Sequence, residues 1–223
     1  MEIGIVGTGH MGNAVARFLG RTNRVALADR DPAKAAAAVT QIGAGDGVTA
    51  ASIAAALSAD MVVLALWYPV TTEFAREHAA ELQDKIVIDI SNPLDETYVG
   101  LRTDLRDSGA VSAPSTSSAE LLAQALPGSR IVKAFNTTPS VVLAEGQIDD
   151  VPLDVFVAGD DDTAKSSVSE LVRAAGLRPV DVGRLKNARV LEGLAALEGE
   201  LSQRYGLGFR VAFKVLPAAF QTA

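Results

Sequence analysis

The chain has 223 residues, 48% of them apolar, and a formal net charge of −7; that is enough apolar side chain for a full-sized core, which excludes disorder as a description of the whole. It has no cysteine and only two histidines, which excludes disulfides and thiolate catalysis and argues against a cysteine- or histidine-rich metal centre. There is no block of Lys/Arg and no apolar run of the roughly 18 residues a membrane span needs, so a soluble, cytoplasmic protein is expected, with small molecules rather than nucleic acid or membrane as partners.

Ile3-Gly4-Ile5-Val6 reads as a buried strand and runs into Gly7-Thr8-Gly9-His10-Met11-Gly12. Behind the glycines, Met11, Val15, Phe18 and Leu19 recur at helical spacing, and Val25-Ala26-Leu27-Ala28 forms a second apolar run that ends on Asp29-Arg30. Strand, glycine-rich turn, helix and strand closing on an acidic residue is the layout of a dinucleotide-binding βαβ unit. In it Gly7 permits the tight turn, Gly9 leaves the backbone open to a pyrophosphate, and Gly12 lets the helix pack close to the sheet. The motif begins at residue 7, so no signal peptide is expected.

Asp31-Pro32 predicts a helix cap followed by proline at the first helical position. An alanine-rich helix then runs to about Gln41, with a short third strand at Val48 and a short helix over Ser52 to Ser58. Met61-Val62-Val63-Leu64-Ala65-Leu66 is a continuous apolar run, as a parallel strand covered on both faces requires. Pro69 opens a helix whose apolar face includes Val70, Phe74 and Leu82, and the strand Lys85 to Ile90 stops at Ser91-Asn92-Pro93. Residues 94 to 116 read as a long loop, of the kind that is usually functional. A helix from Ser117 to Leu126 and the strand Arg130 to Ala134 follow, with Phe135-Asn136-Thr137-Thr138-Pro139 at the strand end. Leu153 to Ala158 is another strand. Asp160, Asp161 and Asp162 read as a helix cap rather than a metal site. The remainder is a strand at Pro179 to Val182, a helix from about Leu185 to Tyr205 and an apolar segment, Phe209 to Phe220, that packs on the body or on a second subunit.

Strands alternating with helices predict an α/β fold, a Rossmann-type, doubly wound, mostly parallel sheet with a short C-terminal helical extension. We divide the chain into an NAD(P)-binding domain over 1–182 and a small extension over 183–223 that completes the substrate cleft. Right-handed crossovers place the C-terminal ends of the strands on one edge. The residues after them, Gly7 to Gly12, Asp29-Arg30, Leu66-Trp67-Tyr68, Asn92-Pro93 and Asn136-Thr137, then converge on one cleft. Asp29 favours NAD, since a carboxylate there accepts from the adenosine ribose and repels a 2′-phosphate. Arg30, with Lys34 one helical turn on, favours NADP, because a guanidinium can clasp that phosphate. Spacing alone leaves the choice open. Trp67 and Tyr68 offer flat faces to a planar ring, or pack the helix that follows. Asn136 suits an amide or a carbonyl, or caps the next helix.

The glycine loop, Asp89-Ile90-Ser91-Asn92-Pro93-Leu94, Ile131-Val132-Lys133-Ala134-Phe135-Asn136-Thr137, Val157-Ala158-Gly159-Asp160-Asp161 and Leu185-Lys186-Asn187-Ala188-Arg189 occur in that order. This ordered set resembles the family of NADPH-dependent deazaflavin (coenzyme F420) oxidoreductases, with metalloreductase domains as more distant relatives. The resemblance implies a hydride passing directly between NADP(H) and a deazaflavin or flavin co-substrate, with no catalytic side chain. It also implies that Thr8, Gly9, His10, Met11 and Gly12 hold the pyrophosphate, with Arg30 and Lys34 near the 2′-phosphate. Leu66 then lines the nicotinamide, with Asn136, Thr137 and Ser140 nearby. In this family a small polar residue stands where this chain has Asp29, and the pattern after the fourth strand differs from Trp67-Tyr68-Pro69. We expect Trp67 and Asn92 on the cofactor side, and Tyr68, Pro93, Asn136 and Thr137 on the substrate side. The alternatives are a β-hydroxyacid dehydrogenase or imine-reductase type of enzyme, for whose helical second domain the roughly forty residues after Val182 are too few, and a non-catalytic dinucleotide sensor. The apolar C-terminal segment makes a homodimer the expected assembly.

Overall fold

Each strand of the sheet sends alternate side chains to opposite faces, and each face finds helices to cover it. The computed structural model describes residues 1–43, 45–102 and 115–216. In chain order the elements are β1 (Glu2–Val6), α1 (His10–Leu19), β2 (Arg24–Ala28), α2 (Pro32–Ile42), β3 (Val48–Ala51), α3 (Ile53–Leu57) and β4 (Met61–Leu64). Next come α4 (Val70–Glu77), α5 (Ala79–Leu82), β5 (Ile86–Asp89), α6 (Ser118–Ala125), β6 (Arg130–Lys133) and α7 (Ser140–Leu143). A two-stranded hairpin, β7 (Gln147–Ile148) and β8 (Val151–Pro152), precedes β9 (Asp154–Gly159), α8 (Asp162–Ala174), β10 (Arg178–Asp181) and α9 (Ala188–Tyr205).

The main sheet has eight strands in the order β10-β9-β6-β5-β4-β1-β2-β3. Ile3, Ile5, Met61 and Val63 point into a core with Val15, Phe18 and Leu19 of α1 and Val168 of α8. Their neighbours Val6, Val62 and Leu64 point into a second core with Leu57, Leu82 and Leu122. Two buried faces explain why these strands read as unbroken apolar runs.

From β3 to β6 every pairing is parallel. β9 pairs antiparallel with β6, and β10 is parallel to β9. The expectation that the strands end on a common edge therefore holds for β1 to β6, and fails for β9 and β10. The reason is the connection after β6. Its one helix, α7, has four residues, about 6 Å at 1.5 Å per residue, and after the β7–β8 hairpin the chain re-enters the sheet as β9 at the edge where β6 ended. Asp160 to Asp162 thus lie at the opposite edge, where the Asp161 side chain accepts from the Ala164 N–H at 2.7 Å and caps α8.

Other boundaries moved. The helix after Pro69 is two short ones, broken at His78, and Val70 is exposed rather than on the inner face. In the long loop, Leu94 bridges Leu101; residues 103–114 lie outside the described residues, as do 217–220 of the C-terminal segment. The described residues after Tyr205, 206–216, run without further helix, and Ala212, Phe213 and Val215 pack against buried residues. No described helix is long and apolar enough to cross a membrane.

Candidate functional site

Steric necessity shapes the turn between β1 and α1. Gly7 has φ of +111°, and a Cβ on it would lie 2.3 Å from the Ala65 carbonyl oxygen. A Cβ on Gly12 would lie 2.0 Å from the Gly7 carbonyl oxygen. At Gly9, the N-cap of α1, a Cβ would meet nothing within 4 Å. No side chain caps this helix and its first turn carries no acid. Its N–H groups and positive dipole end therefore face open space, a ready site for an anion. His10 is exposed, and Met11 tucks partly against the core.

The Asp29 carboxylate turns back onto this loop. Oδ2 accepts from the Thr8 hydroxyl at 2.6 Å and the Thr8 N–H at 3.3 Å, and Oδ1 accepts from the Asp31 N–H at 3.0 Å. Partial burial pushes the acid up, but these donors and the nearby Lys34 outweigh it and hold the carboxyl below its usual range. Arg30 and Lys34 stand exposed beside it.

The ends of β4, β5 and β6 form the floor of the cleft. The Leu66 side chain packs against Gly7. The Asn92 amide donates to the Asn136 carbonyl at 2.8 Å, which turns the Asn92 Oδ1 toward the Asn136 amide nitrogen, 2.9 Å away. That chain of bonds fixes both amides. Among the described residues it leaves Asn136 Oδ1 buried with no partner, as is Thr138 Oγ. Phe135, buried with φ of +61°, makes the bend that aims Asn136. A left-handed bulky residue costs on the order of 1–3 kcal/mol, and such strain gathers at functional sites. Asn136 does not cap α7: that helix starts after Pro139 without a side-chain cap. Thr137 is buried beside Asn136, and Ser140 opens α7 half-buried.

Beyond this floor lies a groove of about 830 Å³ lined by Trp67, Tyr68, Leu94, Tyr98, Leu101 and Arg102, among others. Trp67 is 53% exposed and meets Tyr98 at a tilt of 59°, centroids 5.4 Å apart, rather than packing under α4. Tyr98 in turn meets Phe209 edge-on at 6.4 Å. The Arg102 guanidinium lies over the Tyr68 ring at 5.8 Å. Pro93 is buried and does not line the groove; its carbonyl accepts from the Arg102 N–H at 2.8 Å. Tyr98 and Phe209 are the aromatic residues that the sequence reading missed, because neither sits in a strand-end motif.

A further group went unread. Lys133, fully buried, donates from Nζ to Asp89 Oδ2 (2.8 Å), Glu192 Oε1 (2.8 Å), Ser118 Oγ (3.0 Å) and the Ser91 carbonyl (2.5 Å). Burial alone would lower the ammonium's pKa, but the two carboxyl groups outweigh it and raise it. The signal was visible: Asp89 and Lys133 each follow an apolar run inside a central strand, positions that such groups occupy only when paired.

Known proteins bear on the same residues. Residues 2–93 match a family model described as NADP oxidoreductase, coenzyme F420-dependent. An F420-dependent NADP reductase of Methanocaldococcus jannaschii is 31% identical over 224 residues, covering 95% of this chain and 98% of that one. The chain belongs to the F420-dependent NADP reductase family. A second family member, from Methanothermobacter thermautotrophicus, is 31% identical over 206 residues, 88% of this chain and 87% of its own. A crystal structure from Arthrobacter sp. FB24 matches with a TM-score of 0.76 at 26% identity, over 92% of this chain and 94% of its own. Family membership covers both the dinucleotide unit and the part of the chain that carries Asn136 and α9.

Proposed function

We propose that the protein transfers a hydride between NADP(H) and a deazaflavin of the F420 class, held at the C-terminal ends of β1, β4, β5 and β6. It is an NAD(P)H-dependent oxidoreductase of its family. The observation that carries the residue assignment is the pairing of an open, uncapped helix N-terminus at Gly9 with the buried, unpartnered Asn136 Oδ1 on the same edge. The first suits a pyrophosphate and the second an amide N–H₂, which are the two ends of a nicotinamide mononucleotide half. Thr8 to Gly12 then hold the pyrophosphate, Arg30 and Lys34 the 2′-phosphate, and Leu66 the nicotinamide face. Asn92 and Asn136 orient the carboxamide, with Thr137 and Ser140 beside them.

NADP(H) supplies the hydride chemistry, so the chain's task is positioning and exclusion of water. Trp67 and Tyr68 present the flat wall against which an acceptor ring lies. Tyr98 and Phe209 back Trp67, so the 183–223 extension completes the acceptor side. No acid or base is needed at the transferred hydrogen. Lys186 is exposed on the 3-10 turn next to Asp160, at the far edge of the sheet, and so brings no lysine to the cleft.

The test is an anaerobic screen of NADPH and NADH oxidation against F420, FMN, FAD and small carbonyl and imine compounds. NADPH oxidation coupled to F420 reduction is the expected result. Turnover of carbonyls or imines alone would make it a small-substrate reductase. Tight NADPH binding without turnover of any acceptor would make it a sensor.

A further inference from the structure

The Lys133 cluster lies directly beneath the two strand ends that carry the Asn92–Asn136 pair. Asp89 ends β5 and Lys133 ends β6; Ser91 immediately precedes Asn92, and Asn136 follows Lys133 by three residues. Ser118, the first residue of α6, is the hub. Its hydroxyl lies 2.5 Å from Glu192 Oε1, 3.2 Å from Ser91 Oγ, 3.3 Å from Asp89 Oδ2 and 3.0 Å from Lys133 Nζ. Glu192 reaches in from α9, and its Oε2 accepts from the Ser118 N–H at 3.2 Å. Asp89 Oδ1 accepts from the Ser91 N–H at 2.9 Å while Lys133 grips the Ser91 carbonyl. Both sides of the Ser91 backbone are therefore clamped, one residue before the asparagine that aims Asn136.

Stability does not account for such a cluster. Three ionisable groups without solvent contact are, as a rule, replaceable by well-packed apolar residues at no loss of stability, whereas polar clusters of this kind can fix one conformation among several. Here the segments fixed are the two that hold the unpartnered Asn136 Oδ1. We infer that the buried Lys133–Asp89–Glu192–Ser118 cluster is a positioning device that sets the Asn92–Asn136 pair to receive the nicotinamide carboxamide. The inference rests on the reading of Asn136 given above.

The experiment uses the ratio of kcat/KM for NADPH to that for its reduced 3-acetylpyridine analogue, in which a methyl replaces the carboxamide N–H₂, with F420 as acceptor. The ratio is internal to each folded enzyme, so a loss of folded fraction cancels. Because the acetyl group also changes the ring's strength as a hydride donor, the measure is the change from wild type: Asn136→Ala is expected to cut the preference for NADPH about tenfold, the worth of one hydrogen bond. A preference undiminished in Asn136→Ala removes the carboxamide reading, whatever the cluster does. With that reading secure, the uncharged triple variant Lys133→Met/Asp89→Asn/Glu192→Gln should lose most of the preference. Ser118→Ala, which removes only a hydroxyl and keeps the fold, should lower it about threefold. An unchanged preference in Ser118→Ala, or in a folded triple variant, overturns the positioning role.

Discussion

Asp29 shows what a single carboxylate does when two roles compete for it. Both its oxygens are engaged, by Thr8 and by the Asp31 N–H, so it braces the glycine turn as well as placing negative charge beside Arg30 and Lys34. Removing the charge while keeping the amide-like shape should separate the roles. Asp29→Asn is expected to raise the NADPH over NADH ratio of specificity constants about tenfold, an interaction of roughly 1.4 kcal/mol near a protein surface. Asp29→Ser should raise the ratio equally but weaken both coenzymes, because Thr8 loses its brace. Ratios unchanged in both variants would mean that the charge plays no part at the ribose. Glu198 on α9 poses a different problem. It is 3% exposed, its Oε1 has no partner among the described residues, and burial pushes its carboxyl up to about 9 from the ordinary 4.5. The folded chain thus holds a proton that the unfolded chain releases above 4.5. Stability falls as pH rises from about 4.5 toward about 9, since the folded state binds more protons across that window. Glu198→Gln is expected to gain about 2 kcal/mol at pH 8, on the order of 5 °C in Tm for a chain of this size, and nothing at pH 4. Thermal melts at the two pH values decide it, and an equal gain at both would show the carboxyl is not held neutral.

At the level of elements, β1, its glycine turn and α1 were legible because hard sterics govern them: Gly7 and Gly12 sit where any Cβ would collide with backbone. β4 and β5 were legible for a related reason, since burial on both faces leaves an unbroken apolar run. The reversal at β9 was not. Its residues are buried throughout just as a parallel strand's would be, and what lies before it is a four-residue helix and a hairpin in place of a crossover helix, in a stretch without strong periodicity. Long-range polar contacts were equally hidden. Lys133 and Glu192 are 59 positions apart, and nothing local in either helix or strand says that they meet. The strand-end asparagines could be placed at the cleft from the sequence, but the freedom of Asn136 Oδ1 depends on which way Asn92 is turned, a fact of hydrogen bonding across two strands. Sequence pattern thus placed the donors and acceptors at one edge, and the structure supplied their orientation.

For the molecule as a whole, the question is how the segment after α9 acts on a cleft built mainly by β1 to β6. Its anchor is Asp154, whose side chain has no solvent contact and accepts from Arg178 Nε (2.7 Å), Lys214 Nζ (2.7 Å) and the Val215 N–H (2.9 Å). Burial pushes this carboxyl up, but the bonds from Arg178, Lys214 and Val215 outweigh it and hold it below 3.8. Its contribution is therefore present above that value and fades as pH falls through the lower folded pKa. Arg210 pairs with Glu145 at 2.6 Å, and between the two anchors and α9 the chain presents Phe209 to Tyr98 and hence to Trp67. Asp154→Asn leaves two cations facing a neutral amide, a loss of roughly 3 kcal/mol at a buried pair, and should release residues 209–216. Trp67, the chain's one tryptophan, reports on the far end of that connection. The expected outcome is a shift in its emission, faster tryptic cleavage after Lys214, and an acceptor KM raised about fivefold while the KM for NADPH stays within twofold. Cleavage that quickens with both KM values unchanged would show a tail that merely caps β9 and β10; a rise in the NADPH KM alone would place its influence on the coenzyme side. The split matters because the pyrophosphate turn and the aromatic wall stand on different supports, the first on β1 and α1, the second on a latch whose anchor, Asp154, lies far along the chain from Trp67 and Tyr98, so the two ligand sides of one cleft can be loosened separately.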